Sequence, residues 1–251
     1  MSEIANLITE ARTAAFEHRY AEAASLASRV LNRLPGCLVA LRVLAWAQLE
    51  LDDDAALTSF QTCAEYDPED ALAHVGQAIW YQQRGDNDAA IGEWVRAWEL
   101  DPHNQAIRRA TVKLTGELPE SAFADAIASL RASAQDEIVI DALKHLHRER
   151  KQDPSVALSL IAALWAAGAQ RDAFELAINV LAKHPHSVKA ALYVAALEDR
   201  AGRTLRSREA IARAEQIDPG LTLFADVVRQ VGLQQALDLH RATRAPLAAA
   251  R

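Results

Sequence analysis

Six prolines divide the chain at nearly regular intervals, and this spacing is the strongest constraint on its fold. The steps between successive prolines are 33, 34, 52, 31 and 34 residues. Steps near 34 residues are typical of arrays of helix pairs, in which each pair buries its apolar face against the next. The spacing therefore predicts a helical array with one irregular stretch. The prolines are Pro35, Pro68, Pro102, Pro154, Pro185 and Pro219.

The composition agrees with a folded, helical chain. Hydrophobic residues make up 51% of its 251 residues, and it contains only 9 glycines and 8 prolines. A chain of this length and apolar content can bury a sizeable core. Scarce glycine and proline favour long helices over sheets joined by many turns. We therefore expect an all-α fold.

Aligning the chain on these prolines brings residues of similar size into columns. The residue seventeen before the proline is glycine in three repeats, Gly85, Gly168 and Gly202, where a turn between two helices needs a positive φ. His18 and Leu51 depart from that column. The residue twelve before the proline is small in every repeat, as expected where two helices cross closely: Ala23, Ala56, Ala90, Ala142, Ala173 and Ser207.

These columns resemble the tetratricopeptide repeat (TPR) family. The third repeat is the most similar to it, and its matching residues are Ala78, Tyr81, Gly85, Ala90, Trp94, Ala97 and Pro102. The resemblance covers about two thirds of the chain. It implies a right-handed solenoid of antiparallel helix pairs, with about five clear repeats, one degenerate repeat and a C-terminal capping helix pair.

The pattern predicts four segments. Residues 1–104 form a block of three repeats, 105–153 hold irregular helices with the degenerate repeat, 154–221 form a block of two repeats, and 222–251 form the capping helices and a frayed tail. Residues 1–104 carry 7 basic and 17 acidic side chains, whereas residues 105–251 carry 20 and 17. We expect the acidic front and the more basic rear to attract each other.

In the TPR family the first helix of each pair lines a concave groove that holds a peptide or a partner helix. Family members that grip a terminal carboxylate place lysine and asparagine in columns where this chain has Ile8 and Ala45, so we expect that clamp to be absent. The resemblance implies a largely apolar groove. Its candidate residues are Ile8, Arg12, Leu41, Arg42, Ala45, Gln48, Val75, Ile79, Gln82, Leu158, Ala162, Trp165 and Leu192.

The five tryptophans divide between core and surface. Trp94 and Trp98 fall on the core face of a second helix, so we expect them to be packed. Trp165 is open to two interpretations, groove contact or packing. Trp46 and Trp80 occupy equivalent places in adjacent repeats, where they either stack between repeats or reach the surface as an interface anchor.

Other functional classes find little support. No phosphate-binding glycine loop, zinc-protease helix or nucleophile elbow is present, so we expect no enzyme activity and no cofactor. His145 and His147 are two residues apart on a predicted helix, a spacing unsuited to sharing a metal ion. The basic run at 144–151 is interleaved with acidic residues, which argues against a nucleic-acid site and favours a solvated helix face.

The sequence also predicts a location. Cys37 and Cys63 are too few for a disulfide framework, and the first residues lack the pattern of an export signal. The uncharged stretch 154–170 is 17 residues long and fits the repeat register, so we expect no membrane span. These features predict a cytoplasmic protein.

The leading hypothesis is an adaptor or scaffold that binds an apolar or amphipathic segment of another protein in its groove. One alternative is a homo-oligomer built head to tail, with the basic rear of one copy against the acidic front of another, around Asp52, Asp53, Asp54, Glu69 and Asp70. A second alternative is a regulatory subunit or a chaperone of an enzyme or of a secreted substrate.

Overall fold

The computed structural model describes residues 2–132 and 137–249, and within those ranges it consists of fifteen α-helices and no strands. Most successive helices pack on each other, so the predicted all-α solenoid of TPR-like helix pairs is confirmed. None of the described helices is long and apolar enough to cross a membrane.

Six helices, here called the front block, form the first three pairs. In each pair the second helix packs on the first, and the first helices also contact each other, α1 with α3 and α3 with α5. The small residues of the second helices, Ala23, Ala56 and Ala90, are fully buried at the crossings. The helices are α1 (Ser2–Phe16), α2 (Tyr20–Arg33), α3 (Leu38–Glu50), α4 (Ala55–Tyr66), α5 (Ala71–Gln83) and α6 (Asn87–Leu100).

Three helices follow where the proline spacing is irregular: α7 (Gln105–Thr115), α8 (Ala122–Ala132) and α9 (Glu137–Glu149). Helix α7 ends at Gly116, which has a φ of 86°. Helices α8 and α9 pack as a pair, and α7 packs on α6. Within its described residues, the region 105–153 thus contains one helix pair and one additional helix.

The rear block consists of α10 (Pro154–Ala166), α11 (Gln170–Lys183), α12 (Val188–Arg200) and α13 (Thr204–Ile217). The capping pair is α14 (Ala225–Val231) and α15 (Gln234–Ala249), and it packs on α12 and α13. Helix α15 continues to Ala249. Residues 250–251 lie outside the described range.

The turn between the two helices of a pair needs a positive φ, and the first two repeats reach it without glycine. Gly85, Gly168 and Gly202 have φ values of 77°, 81° and 70°, as the sequence predicts. In the first two repeats His18 and Asp52 take this conformation, with φ values of 60° and 55°. Histidine and aspartate are among the residues that enter the left-handed region most readily, so the turn survives the loss of glycine.

The two blocks meet along a line that we call the inter-block seam, formed by the turns that end each repeat. At its first level, the turn of Gly36 approaches the end of α13 so closely that a β-carbon on Gly36 would lie 3.5 Å from the Gln216 carbonyl oxygen. At the second level, the rings of Tyr66 and His186 lie 4.9 Å apart. The first turn of the front block therefore meets the last turn of the rear block.

Ion pairs strengthen the second and third levels of the seam. Lys189 Nζ lies 2.7 Å from Glu69 Oε2 and 3.2 Å from Asp67 Oδ1. At the third level, both terminal nitrogens of Arg150 donate to the carboxylate of Glu99 at 3.1 Å. The expected attraction between an acidic front and a more basic rear thus acts inside one chain.

The apolar core also crosses the seam. Its largest cluster joins Leu38 and Leu41 of the front block to Leu158 and Leu192 of the rear block. A continuous core of this kind couples the two blocks, because separating them would expose apolar surface to water. The seam consequently closes much of the inner surface that the first helices would otherwise present.

Candidate functional site

The thirteen predicted groove residues differ in how far they are exposed. Six of them are buried: Leu41, Ala45, Val75, Leu158, Trp165 and Leu192. The other seven are at least partly exposed: Ile8, Arg12, Arg42, Gln48, Ile79, Gln82 and Ala162. The structure therefore does not present these residues as one open groove along the whole array.

The buried members are held by contacts within the chain. Leu158 is 2% exposed and Leu192 is fully buried, both in the core that crosses the seam. Trp165 is 5% exposed, packs edge to face against Tyr193 and has the Arg200 guanidinium 4.7 Å from its ring centre. Of the two interpretations of Trp165, packing is therefore the one that the structure supports.

The other tryptophans also pack within the array. Trp94 and Trp98 are buried, as expected, and Trp94 Nε1 donates to Gln82 Oε1 at 3.0 Å. Trp46 lies edge to face against Phe60, and Trp80 lies under the Arg84 guanidinium at 4.1 Å. The two partly buried rings pack in one cluster with Ala45 and Leu49, so they stack between repeats.

A cavity of about 630 Å³, here called the front cavity, brings together three of the predicted groove residues, Ile8, Arg12 and Arg42. Helices α1 and α3 form one side of it, and the segment 215–223 at the end of α13 forms the other. The remaining lining residues are Ile4, Ala5, Thr9, Leu34, Val39, Val43, Glu215, Pro219, Gly220, Thr222 and Leu223.

The apolar wall of the front cavity comes from residues one turn apart on the two helices. Ile4 and Ile8 are four residues apart on α1, as are Val39 and Val43 on α3, so each pair lies on one helix face. These i, i+4 pairs mark an apolar face on each helix in the sequence, but they do not show that the segment 215–223 lies opposite. Leu223, 39% exposed, completes the apolar wall from the opposite side.

Hydrogen bonds shape the segment that closes the cavity. Asp218 accepts from the Leu223 backbone nitrogen at 2.8 Å and from Thr222 Oγ1 at 3.3 Å. Burial raises the pKa of the Asp218 carboxyl, although these hydrogen bonds oppose the shift. From the capping pair, Arg241 donates to the Gly220 carbonyl oxygen at 2.8 Å and lies 3.3 Å from Glu215 Oε1. The far wall is therefore held in a defined shape.

Two arginines stand at the front cavity in different electrostatic settings. Arg42 donates from Nε to Asp70 Oδ2 at 2.7 Å and lies 3.2 Å from Asp67 Oδ2, so its charge is compensated. Asp67 also binds Lys189, which links this cavity wall to the inter-block seam. Arg12 is exposed, and within the described parts of the chain no carboxylate forms an ion pair with it. The front cavity thus combines an apolar wall with one uncompensated cation.

The described residues form no metal site and no reactive cysteine site. They contain no group of three or more histidines, cysteines or acidic residues that could hold a metal ion. Cys37 and Cys63 are free and buried, and burial raises the pKa of the Cys63 thiol to about 12 and that of Cys37 above its usual value. Buried thiols with raised pKa values are poor nucleophiles.

The acidic residues behind the head-to-tail hypothesis have partners within one chain. Glu69 binds Lys189, and Asp70 binds Arg42 while its carboxylate also caps α5 by accepting from the Leu72 and Ala73 backbone nitrogens. Asp54 pairs with Arg84. A second copy would compete with these internal contacts, so the hypothesis gains no support from this arrangement.

Comparison with solved structures finds TPR proteins. The TPR domain of P58(IPK) aligns with 12% sequence identity over 96% of this chain and 65% of its own, with a TM-score of 0.41. The TPR2AB-domain:pHSP90 complex of yeast Sti1 aligns with 14% identity over 96% of this chain and 99% of its own, with a TM-score of 0.41. Yeast Tom70 aligns with 8% identity over 96% and 68%, with a TM-score of 0.40.

The chain thus spans slightly less than two thirds of the P58(IPK) structure. No family model and no curated protein matches the chain by sequence. Because all three TM-scores are low, the fold assignment depends on the helix pairs described above. The chain is an array of TPR-like helix pairs, folded so that its two blocks close on each other.

Proposed function

We propose that this protein is an interaction adaptor and that the front cavity receives an apolar segment of a protein partner. The observation that carries the proposal is a largely apolar cavity of about 630 Å³ between α1, α3 and the segment 215–223. Its size is within the range of pockets that enclose a few side chains or a small ligand. Ile8, Val43 and Leu223 provide the apolar contacts.

The uncompensated charge of Arg12 adds a preference within this proposal. A guanidinium without an internal partner favours a ligand that carries a carboxylate beside its apolar residues. The ligand is therefore a short peptide segment with one or two large apolar residues and an acidic group on one side. Arg42 is held by Asp67 and Asp70 and acts as a wall of the cavity.

The test selects peptides from a random library on the full-length protein and measures their affinity for a matched pair of variants. Leu223→Asp places a charge in the wall of the cavity, whereas Leu205→Asp changes a 74% exposed leucine outside it. We expect Leu223→Asp to weaken binding by more than about tenfold, because a carboxylate must then be buried against apolar groups. Leu205→Asp should bind with the affinity of the wild type.

Two results would contradict the proposal. One is an equal affinity of the selected peptides for the wild type and for folded Leu223→Asp. The other is a selection that enriches no peptide, although the protein is folded by circular dichroism. An Arg12→Gln variant addresses the charge separately, since it should weaken only those peptides that carry an acidic residue.

A further inference from the structure

A second cavity, of about 470 Å³, lies in the rear half of the chain, between the end of α9, the turn that follows it and helix α11. We call it the rear basic pocket. It shares no lining residue with the front cavity. Part of it comes from the basic run at 144–151, which the sequence alone assigns to a solvated helix face.

Basic side chains dominate this pocket. Arg148 and Lys151 come from α9 and the turn after it, and Lys183 comes from the last turn of α11. Two histidines, His147 and His184, also line it. Because these side chains arise on two separate helices, their charges converge on one space rather than following one exposed stripe.

The basic side chains that line the pocket lack ion-pair partners, whereas two basic residues next to them in sequence have such partners. Lys144 pairs with Asp141, and Arg150 pairs with Glu99, both away from the pocket. In the described ranges, no carboxylate forms an ion pair with Arg148, Lys151 or Lys183. The pocket therefore holds three exposed cations that have no ion-pair partner among the described residues.

The one carboxylate in the lining is already engaged. Asp153 lies 2.7 Å from an Arg96 terminal nitrogen and accepts from the Ser155 hydroxyl at 2.6 Å and from its backbone nitrogen at 3.1 Å. These contacts satisfy the carboxylate as the N-cap of α10. Little of its charge is left to balance the cations across the pocket.

The pKa of His147 is lowered in part by the positive charge at this pocket. Burial and then the charge of Lys183 lower the pKa of its imidazole. Its Nδ1 nitrogen is buried and has no hydrogen-bond partner among the described residues. Like charges gathered without a counter-ion repel one another, so a bound anion would be favoured at this place.

The uncharged residues of the lining indicate which class of anion fits the pocket. Pro154, Ala157, Leu176 and Val180 give the pocket an apolar wall, and Asn179 adds a side-chain amide. A compact pocket of this volume suits a small molecule better than an extended acidic peptide, which needs a longer track. We propose that the rear basic pocket binds a small molecule that carries a di- or triphosphate group, with its apolar part against this wall.

The cations have defined parts in this proposal. Arg148 can donate two parallel hydrogen bonds to phosphate oxygens, and Lys151 and Lys183 supply point charges from opposite sides. The site is separate from the peptide-binding proposal, so either can fail without the other.

The experiment titrates inorganic pyrophosphate and ATP into the full-length protein by isothermal calorimetry at constant ionic strength. The test variant is Lys151→Ala with Lys183→Ala. The control is Lys113→Ala with Lys144→Ala, which removes the same charge from two exposed lysines outside the pocket. We expect both ligands to bind the wild type, roughly a tenfold loss for each pocket lysine removed, and little change in the control.

Three outcomes would overturn the proposal. The wild type binds neither pyrophosphate nor ATP, the control loses as much affinity as the test variant, or an oligoglutamate peptide of equal charge binds more tightly than ATP and loses its affinity in the test variant. The second result would mean a diffuse attraction by net charge, and the third would assign the pocket to an acidic peptide. Circular dichroism confirms that each variant is folded before it is titrated.

Discussion

Helices α1 and α10 occupy the same place in their repeats, yet they have opposite environments. Each is the first helix of the first pair in its block. Ten of the thirteen residues of α10 are buried, because α9, α11 and the front block surround it. In α1 the residues Ile8 and Arg12 remain open at the front cavity, whereas Leu158 and Trp165 of α10 are closed.

This difference shows that the position of a residue within its repeat determines the direction of its side chain. It does not determine whether another part of the chain buries that side chain. The local register places Ile8 and Leu158 in the same column, and the fold of the whole chain decides that only one stays accessible. The uncharged stretch of α10 has the same explanation, since a helix that is apolar on all sides is a core helix. At thirteen residues it is too short to span a bilayer.

The largest expected effect comes from breaking the seam that closes the rear block. Lys189→Met removes the cation that lies between Asp67 and Glu69 and leaves two carboxylates without it. Burial lowers the pKa of Lys189, but the two carboxylates outweigh this and raise it overall, so the lysine is charged at neutral pH. We expect a loss of about 3–5 kcal/mol in the free energy of unfolding, measured with urea.

The matched control for the seam is Lys113→Met, which removes an exposed lysine of α7. It should change the free energy of unfolding by no more than about 0.5 kcal/mol. A similar small change in Lys189→Met would mean that the seam contributes little to the folded state.

The second prediction compares one column in the two blocks directly. Leu158→Ala should lower the free energy of unfolding by about 2–5 kcal/mol, because it leaves a cavity in the core. Ile8→Ala, at the open cavity, should cost about 1 kcal/mol or less, since little apolar area is lost. Equal losses in urea denaturation would contradict the contrast between α10 and α1.

The third prediction examines whether the rest of the front block is closely packed, although α1 has accessible residues at the front cavity. A β-carbon on Gly76 would lie 2.3 Å from the Phe60 ring, so α4 and α5 are closely packed there. Gly76→Ala should destabilise the protein by about 1–3 kcal/mol despite the better helix propensity of alanine. Gly92→Ala, where an added β-carbon would have no packing neighbour within 4 Å, should instead stabilise it by about 0.5–1 kcal/mol. Thermal unfolding of the two variants would distinguish a packed front block from a loose one.

The smallest expected effect is a change of stability with pH at the third level of the seam. Burial raises the pKa of Glu99, but hydrogen bonds from Arg150, Ser121 and Arg96 outweigh this and lower it below its ordinary value of 4.5. Its contribution is therefore fully present above that value and is lost as the pH falls through the lower pKa of the folded state. The free energy of unfolding of Glu99→Gln should change less between pH 6 and pH 3 than that of the wild type.

The repeat register and most helix positions could be predicted from the sequence, because proline, glycine and alanine at fixed spacing act within one repeat. The packing of the front block against the rear block could not be predicted, because contacts such as that of Glu69 with Lys189 join residues 120 positions apart. The predicted attraction between the two halves was the nearest indication of it. Among the candidate groove residues, Ile8, Arg12 and Arg42 share a cavity, whereas the burial of Leu192 depends on partners that a column does not reveal.

The most direct test of this account compares thiol labelling at two residues of one column. Arg12→Cys places a thiol at the front cavity, and Ala196→Cys places one in the rear block at a residue that is 2% exposed. Cys37 and Cys63, both fully buried, provide an internal reference. We predict that a maleimide reagent labels Arg12→Cys at least about 100-fold faster than Ala196→Cys, which reacts only when the chain opens. Equal labelling rates in the folded protein would contradict the closed rear block.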